Sequence, residues 1–487
     1  MNRKMVFNIL GRIVLLEAVL LILPFICAVI YGETKVVLAF AISVVTAALI
    51  GMLLQFLGKT KDKTIFAKEG FVTVALAWIF MSLIGALPFY ISGEISSFTN
   101  AFFETVSGFT TTGASILEEV EIMSKGLLFW RSFTHWIGGM GVLVLVMAIL
   151  PSDSGRSIHL MRAEMPGPII GKLVPKVRST AKILYVIYMV LTAVETVLLI
   201  LGGMPLFDSI IHSLGTAGTG GFGIKADSIG GYSPYLQWVI AIFMLIFGIN
   251  FNLYYLILVR KIKTALKSEE LWTYIGIVVV ATLFIASNIH KTAENFSTFS
   301  DSFRHSLFQV SSIITTTGYA TVDFNLWPGL SKTILFIIMF MGGCAGSTAG
   351  GFKLSRVIML FKQVKANLKH LLHSRSVESV RFEGKTLDNA TVYSVTSYLV
   401  IYAFCLVAIL LVLSLDSFGF ETNVSAAVSC FNNVGPGLDA VGPASSYAAY
   451  SAVSKWTLSA AMLLGRLEIY PMLLLFSPSV WVKSRKK

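Results

Sequence analysis

The chain has 487 residues, 55% of them hydrophobic and only 13% charged, with a formal net charge of +12. A soluble protein of this length divides into two or three domains with far more charge, so this balance excludes one and points to a polytopic membrane protein. The positive charge does not indicate nucleic acid, because it falls in alternate inter-span segments.

Apolar runs of spanning length are predicted near 8–31, 36–57, 71–92, 126–150, 180–202, 234–258, 271–288, 330–361, 391–415 and 454–476. Several match the roughly 20 residues that a membrane-crossing helix needs. A second apolar run follows the first at once, without a small-residue cleavage site, which argues against a signal peptide. Basic residues cluster at Arg3 and Lys4, at Lys59 to Lys68, at Arg156 to Arg178, at Arg260 to Lys267, at Lys353 to Lys385, and at Lys483 to Lys487. The intervening segments lean acidic, with Glu118, Glu119 and Glu121 in one and Asp416, Glu421 and Asp439 in another. The positive-inside rule then predicts ten spans with both termini cytoplasmic. Anionic lipid is a secondary contact for the basic segments. Cys27, Cys344, Cys405 and Cys430 form no CxxC pair and support neither a disulfide framework nor a metal knuckle.

Within this apolar chain, polar glycine- and threonine-rich runs recur: "VSGFTTTGAS" at 106–115, "HSLGTAGTGGF" at 212–222, "VSSIITTTGYA" at 310–320 and "VSCFNNVGPG" at 428–437. Each follows a short amphiphilic segment and lies between two predicted spans. Aligned on Gly113, Gly220, Gly318 and Gly435, they recur roughly every hundred residues, too long a period for a solenoid. The pattern predicts an all-α fold of four units, each a span, a short helix, a polar loop and a span, arranged around a central pore. An N-terminal two-helix hairpin at 1–70 precedes units at 71–155, 156–262, 263–385 and 386–487. Irregular backbone at membrane depth is tolerated where it lines a water-filled cavity or is buried in protein. Four facing loops would offer rings of carbonyl oxygens that replace the hydration shell of a potassium ion.

At these residues the chain resembles the Trk/Ktr/HKT superfamily of cation transporters, in its bacterial TrkH/TrkG-type potassium uptake branch. The likeness covers essentially the whole length, and the extra hairpin at 1–70 matches that branch. The resemblance implies a filter for K⁺ built from Thr111, Thr112 and Gly113, from Gly218, Thr219 and Gly220, from Thr316, Thr317 and Gly318, and from Asn433, Val434 and Gly435. Potassium would be bound at Thr111, Thr112, Thr219, Thr316, Thr317, Asn433 and Val434. In the plant branch a serine in the first loop accompanies sodium transport; here all four loop glycines are present, so the resemblance implies potassium selectivity. The likeness also implies a bacterial cytoplasmic-membrane location, a homodimer and a cytosolic ring of TrkA-like nucleotide-binding regulatory subunits. Neither a GxGxxG following a strand nor a Walker-type loop occurs in this chain.

The run "GGCAGSTAGG" at 342–351 interrupts the eighth predicted span. Glycine costs about 1 kcal/mol per helical position relative to alanine, so no continuous helix favours this run. The resemblance makes it an intramembrane gate, with Gly342, Gly343, Gly346, Ser347, Thr348, Gly350 and Gly351 as its parts; the alternative is a close helix-packing patch. In "LLGRLEIYP", Arg466 and Glu468 stand at membrane depth, where charges usually face the bundle interior or an aqueous path. The resemblance assigns Arg466 to the pore below the filter, while Glu468 could be a structural pairing partner. Glu17 and Glu195 sit in apolar spans without an assigned role, and His135 beside Trp136 reads as a packed histidine.

Three functions follow. The leading expectation is potassium-selective uptake through the four-loop filter. The alternative is a sodium- or proton-coupled secondary transporter, although such proteins show inverted or twofold repeats. An intramembrane enzyme would need a clustered nucleophile and base or an HExxH-type motif, and neither occurs.

Overall fold

The computed structural model describes residues 1–60, 67–141, 177–292, 298–373 and 379–481. Helices begin α1 (Arg3–Leu20), α2 (Ile22–Ile30), α3 (Thr34–Leu57), α4 (Ala67–Gly85), α5 (Leu87–Ser92), α6 (Phe98–Phe109) and α7 (Lys125–Gly139). There follow α8 (Val177–Leu201), α9 (Leu206–Gly218), α10 (Pro234–Phe247), α11 (Phe251–Leu258), α12 (Ile262–Ala265), α13 (Glu269–Thr292) and α14 (Phe299–Ile314). The last are α15 (Gly329–Met341), α16 (Leu354–Leu372), α17 (Asn389–Leu413), α18 (Phe420–Phe431), α19 (Ala452–Arg466), α20 (Tyr470–Leu475) and α21 (Pro478–Trp481).

Among the described residues, six helical stretches are long and apolar enough to cross a membrane. Their outward faces are greasy: on α3, Leu38, Ile42, Val45, Leu49, Met52 and Phe56 are all exposed at helical spacing. Such a face has no stable place in water, and lipid is its natural solvent. The opposite face packs inward, with α1 lying along α3 and α4. Residues 142–150 of the run at 126–150, residues 151–176 of the segment at 151–180, Lys61, Lys63 and Lys483 to Lys487 lie outside the described residues.

Two departures from the expected spans, and one from the all-α expectation, have local causes. The run 234–258 is not one helix: α10 and α11 meet at 88°. Gly248 ends α10, and the Asn250 side chain caps the next helix by accepting from the Asn252 N–H at 2.9 Å. The run 454–476 breaks between α19 and α20, where Glu468 and Ile469 take φ values of 53° and 66° and Pro471 follows. A small antiparallel hairpin, β1 (Arg381–Phe382) and β2 (Lys385–Thr386), turns through Glu383 and Gly384, both at positive φ. It is the one exception to the expected all-α fold among the described residues.

The four short helices α6, α9, α14 and α18 are buried along their C-terminal halves and lead into the four polar loops. Their amphiphilic sequences would be poor lipid-facing spans, and here protein surrounds them.

Candidate ion-conduction site

Each short helix unwinds in the same way. The residues Thr111, Thr219, Thr316 and Asn433 adopt left-handed backbone, with φ of 56°, 55°, 56° and 57°. For a β-branched threonine this is a true outlier, costing on the order of 1–3 kcal/mol, and such strain concentrates at functional sites. The next residue then donates its N–H five residues back: Thr112 to Ser107 O, Gly220 to Gly215 O, Thr317 to Ser312 O and Val434 to Ser429 O, all at 2.8–2.9 Å. Side chains add to the repeat, since the hydroxyls of Thr110 and Thr112 are 2.8 Å apart and those of Thr315 and Thr317 are 2.7 Å apart.

This register corrects the second loop. The residue two beyond the left-handed position is Gly113, Gly318 and Gly435 in three loops, and in the second it is Gly221, not Gly220. The set aligned from sequence as Gly218, Thr219 and Gly220 therefore becomes Thr219, Gly220 and Gly221. Gly218 is still the last residue of α9. Tandem glycines in "GTGG" left the sequence alignment free to slip by one.

The four register glycines each abut the next loop in cyclic order. A Cβ built on Gly113 would lie 2.7 Å from the Gly221 nitrogen, and one on Gly221 would lie 2.5 Å from Thr317 O. A Cβ on Gly318 would collide with Val434 O, and one on Gly435 would lie 2.5 Å from Thr112 O. The loops thus close on one another as a ring with no room for side chains at the seams. On one side of this ring is a cavity of about 280 Å³, lined by all four glycines together with Arg131 and Lys225 and by none of residues 342–351.

Residues 342–351 lie against the ring from another direction. Gly350 donates its N–H to Thr316 Oγ1 at 2.6 Å, and a Cβ there would lie 2.8 Å from Asn432 O and 2.9 Å from the Asn433 Cβ. The run is held at several further points. Cys344 donates its N–H to Gly248 O at 3.0 Å, Gly346 O accepts from Phe251 N at 3.0 Å, and Ala345 donates to the buried Glu270 carboxylate at 2.7 Å. The Thr348 hydroxyl donates to Phe247 O at 3.1 Å. The bend at 248–250, unseen in the sequence, is therefore what cradles this run. Gly342, Gly346 and Gly351 carry positive φ of 70°, 74° and 79°, which a side chain would strain. Ser347 bonds within the run, to Cys344 O at 2.7 Å, and Gly343 packs against Ala349.

Arg466 joins two sides of the assembly. Its Nη1 donates to Thr348 O at 2.8 Å, and its Nη2 donates to Gly139 O at 2.8 Å and to Gly138 O. Glu468 makes an ion pair with Arg356 on α16, whose guanidinium also lies 4.2 Å from the Tyr398 ring centre. The carboxylates of Glu17 and Glu195 are fully buried and away from the ring loops in sequence. Among the described residues no group of His, Cys, Asp or Glu is arranged to hold a metal ion.

A closed ring of four strained loops inside a bundle of apolar helices defines a membrane protein that handles small ions or solutes. The family described as TrkH, cation transport protein, matches residues 37–483. The chain belongs to that family, a transporter family and not one of enzymes. It is 37% identical over 492 residues to the Trk system potassium uptake protein TrkH of Salmonella typhimurium, covering 99% of this chain and 100% of that protein. It is 36% identical over 487 residues to TrkG of Escherichia coli K12, covering 98% of each. The crystal structure of the potassium transporter TrkH from Vibrio parahaemolyticus superposes with a TM-score of 0.89 at 33% identity, covering 99% of this chain and all of that one.

Proposed function

We propose that this protein takes up potassium across a bacterial cytoplasmic membrane through the ring formed by its four polar loops. The observation that carries this reading is the cyclic abutment of the four loops at Gly113, Gly221, Gly318 and Gly435, all of which line a common cavity. The relatives named above as potassium uptake proteins support potassium as the cargo. Thr111, Thr112, Thr219, Gly220, Thr316, Thr317, Asn433 and Val434 supply the oxygens that replace water around the ion. Flux follows the electrochemical gradient, and selectivity resides in the ring.

The four units at 71–155, 156–262, 263–385 and 386–487 surround the ring in this reading, with the hairpin at 1–70 outside it and ten crossings in all. Both termini face the cytoplasm. The run 342–351, pinned to Thr316 and clamped by Arg466, is the gate. The chain works as a homodimer with a cytosolic TrkA-like, nucleotide-binding ring acting on the basic segments at 151–180 and 353–389. Mild-detergent purification from native membranes with the cytosolic fraction present is expected to retain that subunit.

Flux of potassium, rubidium, sodium and lithium into liposomes holding the purified protein tests the reading. Potassium and rubidium are expected to pass and sodium and lithium to be excluded. Potassium entry that requires an imposed sodium or proton gradient would instead establish the coupled secondary transporter.

A further inference from the structure

The helix that follows each loop packs between that loop's short helix and the next one around the ring, and at the junction of the first and second loops that helix is α7. At the junction of the second and third, the Tyr319 hydroxyl donates to Phe222 O at 3.3 Å. At the junction of the fourth and first, Asn433 donates to Thr112 Oγ1 at 3.0 Å and Tyr447 N donates to Ser115 O at 2.8 Å. Each of these is a contact from loop to loop, or from residues just beyond. The first and second loops are likewise joined just beyond the ring, where Ala226 donates its N–H to Glu121 at 2.6 Å, and here α7 adds a side chain that bonds to the backbone of both.

His135 of α7 is fully buried. Its Nδ1 lies 2.8 Å from Gly108 O at the end of α6, and its Nε2 accepts the Phe222 N–H at 3.4 Å. A carbonyl can only accept, so Nδ1 carries the proton, and a single neutral tautomer satisfies both contacts. The ring also fills the space beside Gly220, since a Cβ at that glycine would strike it. One turn earlier, Arg131 donates from Nε to Glu104 at 2.8 Å and from Nη1 to Gly223 O at 3.1 Å. The same Glu104 accepts the Ile116 N–H at 3.0 Å, just past the first loop. Phe222 is gripped by both, its ring 4.3 Å from the His135 ring and 3.9 Å from the Arg131 guanidinium. Residues four apart on one helix share a face, so His135 and Arg131 form a two-point brace reaching both loops.

We propose that His135, supported by Arg131, is a positioning residue for ion selectivity, setting the spacing between the first and second loops of the ring. This rests on the reading of the ring as the filter. It differs from simple core packing because both imidazole nitrogens bond to backbone that leads directly into Thr111 and out of Gly221. A shift of a few tenths of an ångström there changes the carbonyl spacing seen by an ion without opening the gate.

The test measures the K⁺/Na⁺ permeability ratio per amount of monodisperse protein in liposomes for His135→Leu, His135→Asn and Gly318→Ser. Leucine removes both hydrogen bonds and is expected to lower the ratio about tenfold, with potassium flux kept within about threefold. Asparagine keeps a donor near the Nδ1 position and is expected to lose only about threefold in the ratio. Gly318→Ser perturbs a distant seam and reports on the filter itself. If Gly318→Ser lowers the ratio while His135→Leu matches the parent, the brace is refuted and the filter stands. If all three variants match the parent, the filter reading falls and the brace with it. Should the leucine variant fail to fold, asparagine decides alone: a ratio lowered at least about twofold supports the brace, and an unchanged ratio refutes it.

Discussion

Replacing Arg466 separates two effects that the structure combines in one side chain. The guanidinium brings a positive charge beside the gate run and ties Thr348 O to the carbonyls of Gly138 and Gly139. A cation passing at ~8 Å in surroundings of effective dielectric ~20 meets about 2 kcal/mol of repulsion. That corresponds to about a thirtyfold effect on rate. Each hydrogen bond to a charged group contributes about 1.5–3 kcal/mol, so the clamp is a comparable restraint on movement of 342–351. Glu468 forms its ion pair with Arg356. Three variants resolve the contributions. Arg466→Lys keeps the charge but loses the planar fork that reaches both sides. Arg466→Gln removes the charge, and Arg466→Ala removes both charge and clamp. Single-channel or liposome flux is expected to rise several-fold for lysine through partial loss of the clamp, about thirtyfold for glutamine, and most for alanine, with weakened voltage dependence in the last two. If folded glutamine and alanine variants match the parent in conductance and voltage dependence, Arg466 faces away from the ion path and the reasoning fails.

Two further outcomes are expected. Thr316→Val leaves the buried Gly350 N–H without its 2.6 Å acceptor, a loss of about 1–3 kcal/mol that should loosen the gate. Basal potassium flux in liposomes should rise about tenfold, and flux at or below the parent level would contradict the anchor. Glu468→Gln leaves the Arg356 guanidinium buried without its counter-charge, at a cost of about 3–5 kcal/mol. Thermal unfolding in detergent should shift down by several degrees, and the double change Arg356→Met with Glu468→Met should recover much of the loss; equal stability of the single variant would show the pair to be dispensable.

The four loops were legible because threonine and glycine runs have no reason to recur in an apolar chain, and each is preceded by a short amphiphilic helix. Their register was legible in three loops. In the second, Gly220 and Gly221 are chemically identical, and only the left-handed Thr219 with the hydrogen bond from Gly220 to Gly215 O fixes the frame. The 88° bend between α10 and α11 escaped notice because hydropathy runs unbroken through it. Its single cue was Gly248 followed by Asn250, a helix stop beside a helix start. Arg466 stood out as a charge in an apolar run, yet its partners lie more than a hundred residues away in sequence. The pairing of Glu468 with Arg356 is equally remote, the contacts of His135 reach 27 and 87 residues along the chain, and no local pattern announces them.

The central claim is that the ring of four loops discriminates between cations. The most direct measurement is the reversal potential under opposed potassium and sodium gradients for the parent and for Gly113→Ser. The backbone there is left-handed, with φ of 79°, and a Cβ would press to 2.7 Å from the Gly221 nitrogen. The strained conformation alone costs a side chain about 1–2 kcal/mol, enough to displace the seam. The parent is expected to hold a potential near the potassium equilibrium value and the variant to collapse toward zero, with both proteins folded and conducting. A parent potential near zero, or a variant potential equal to a selective parent's, would contradict the account.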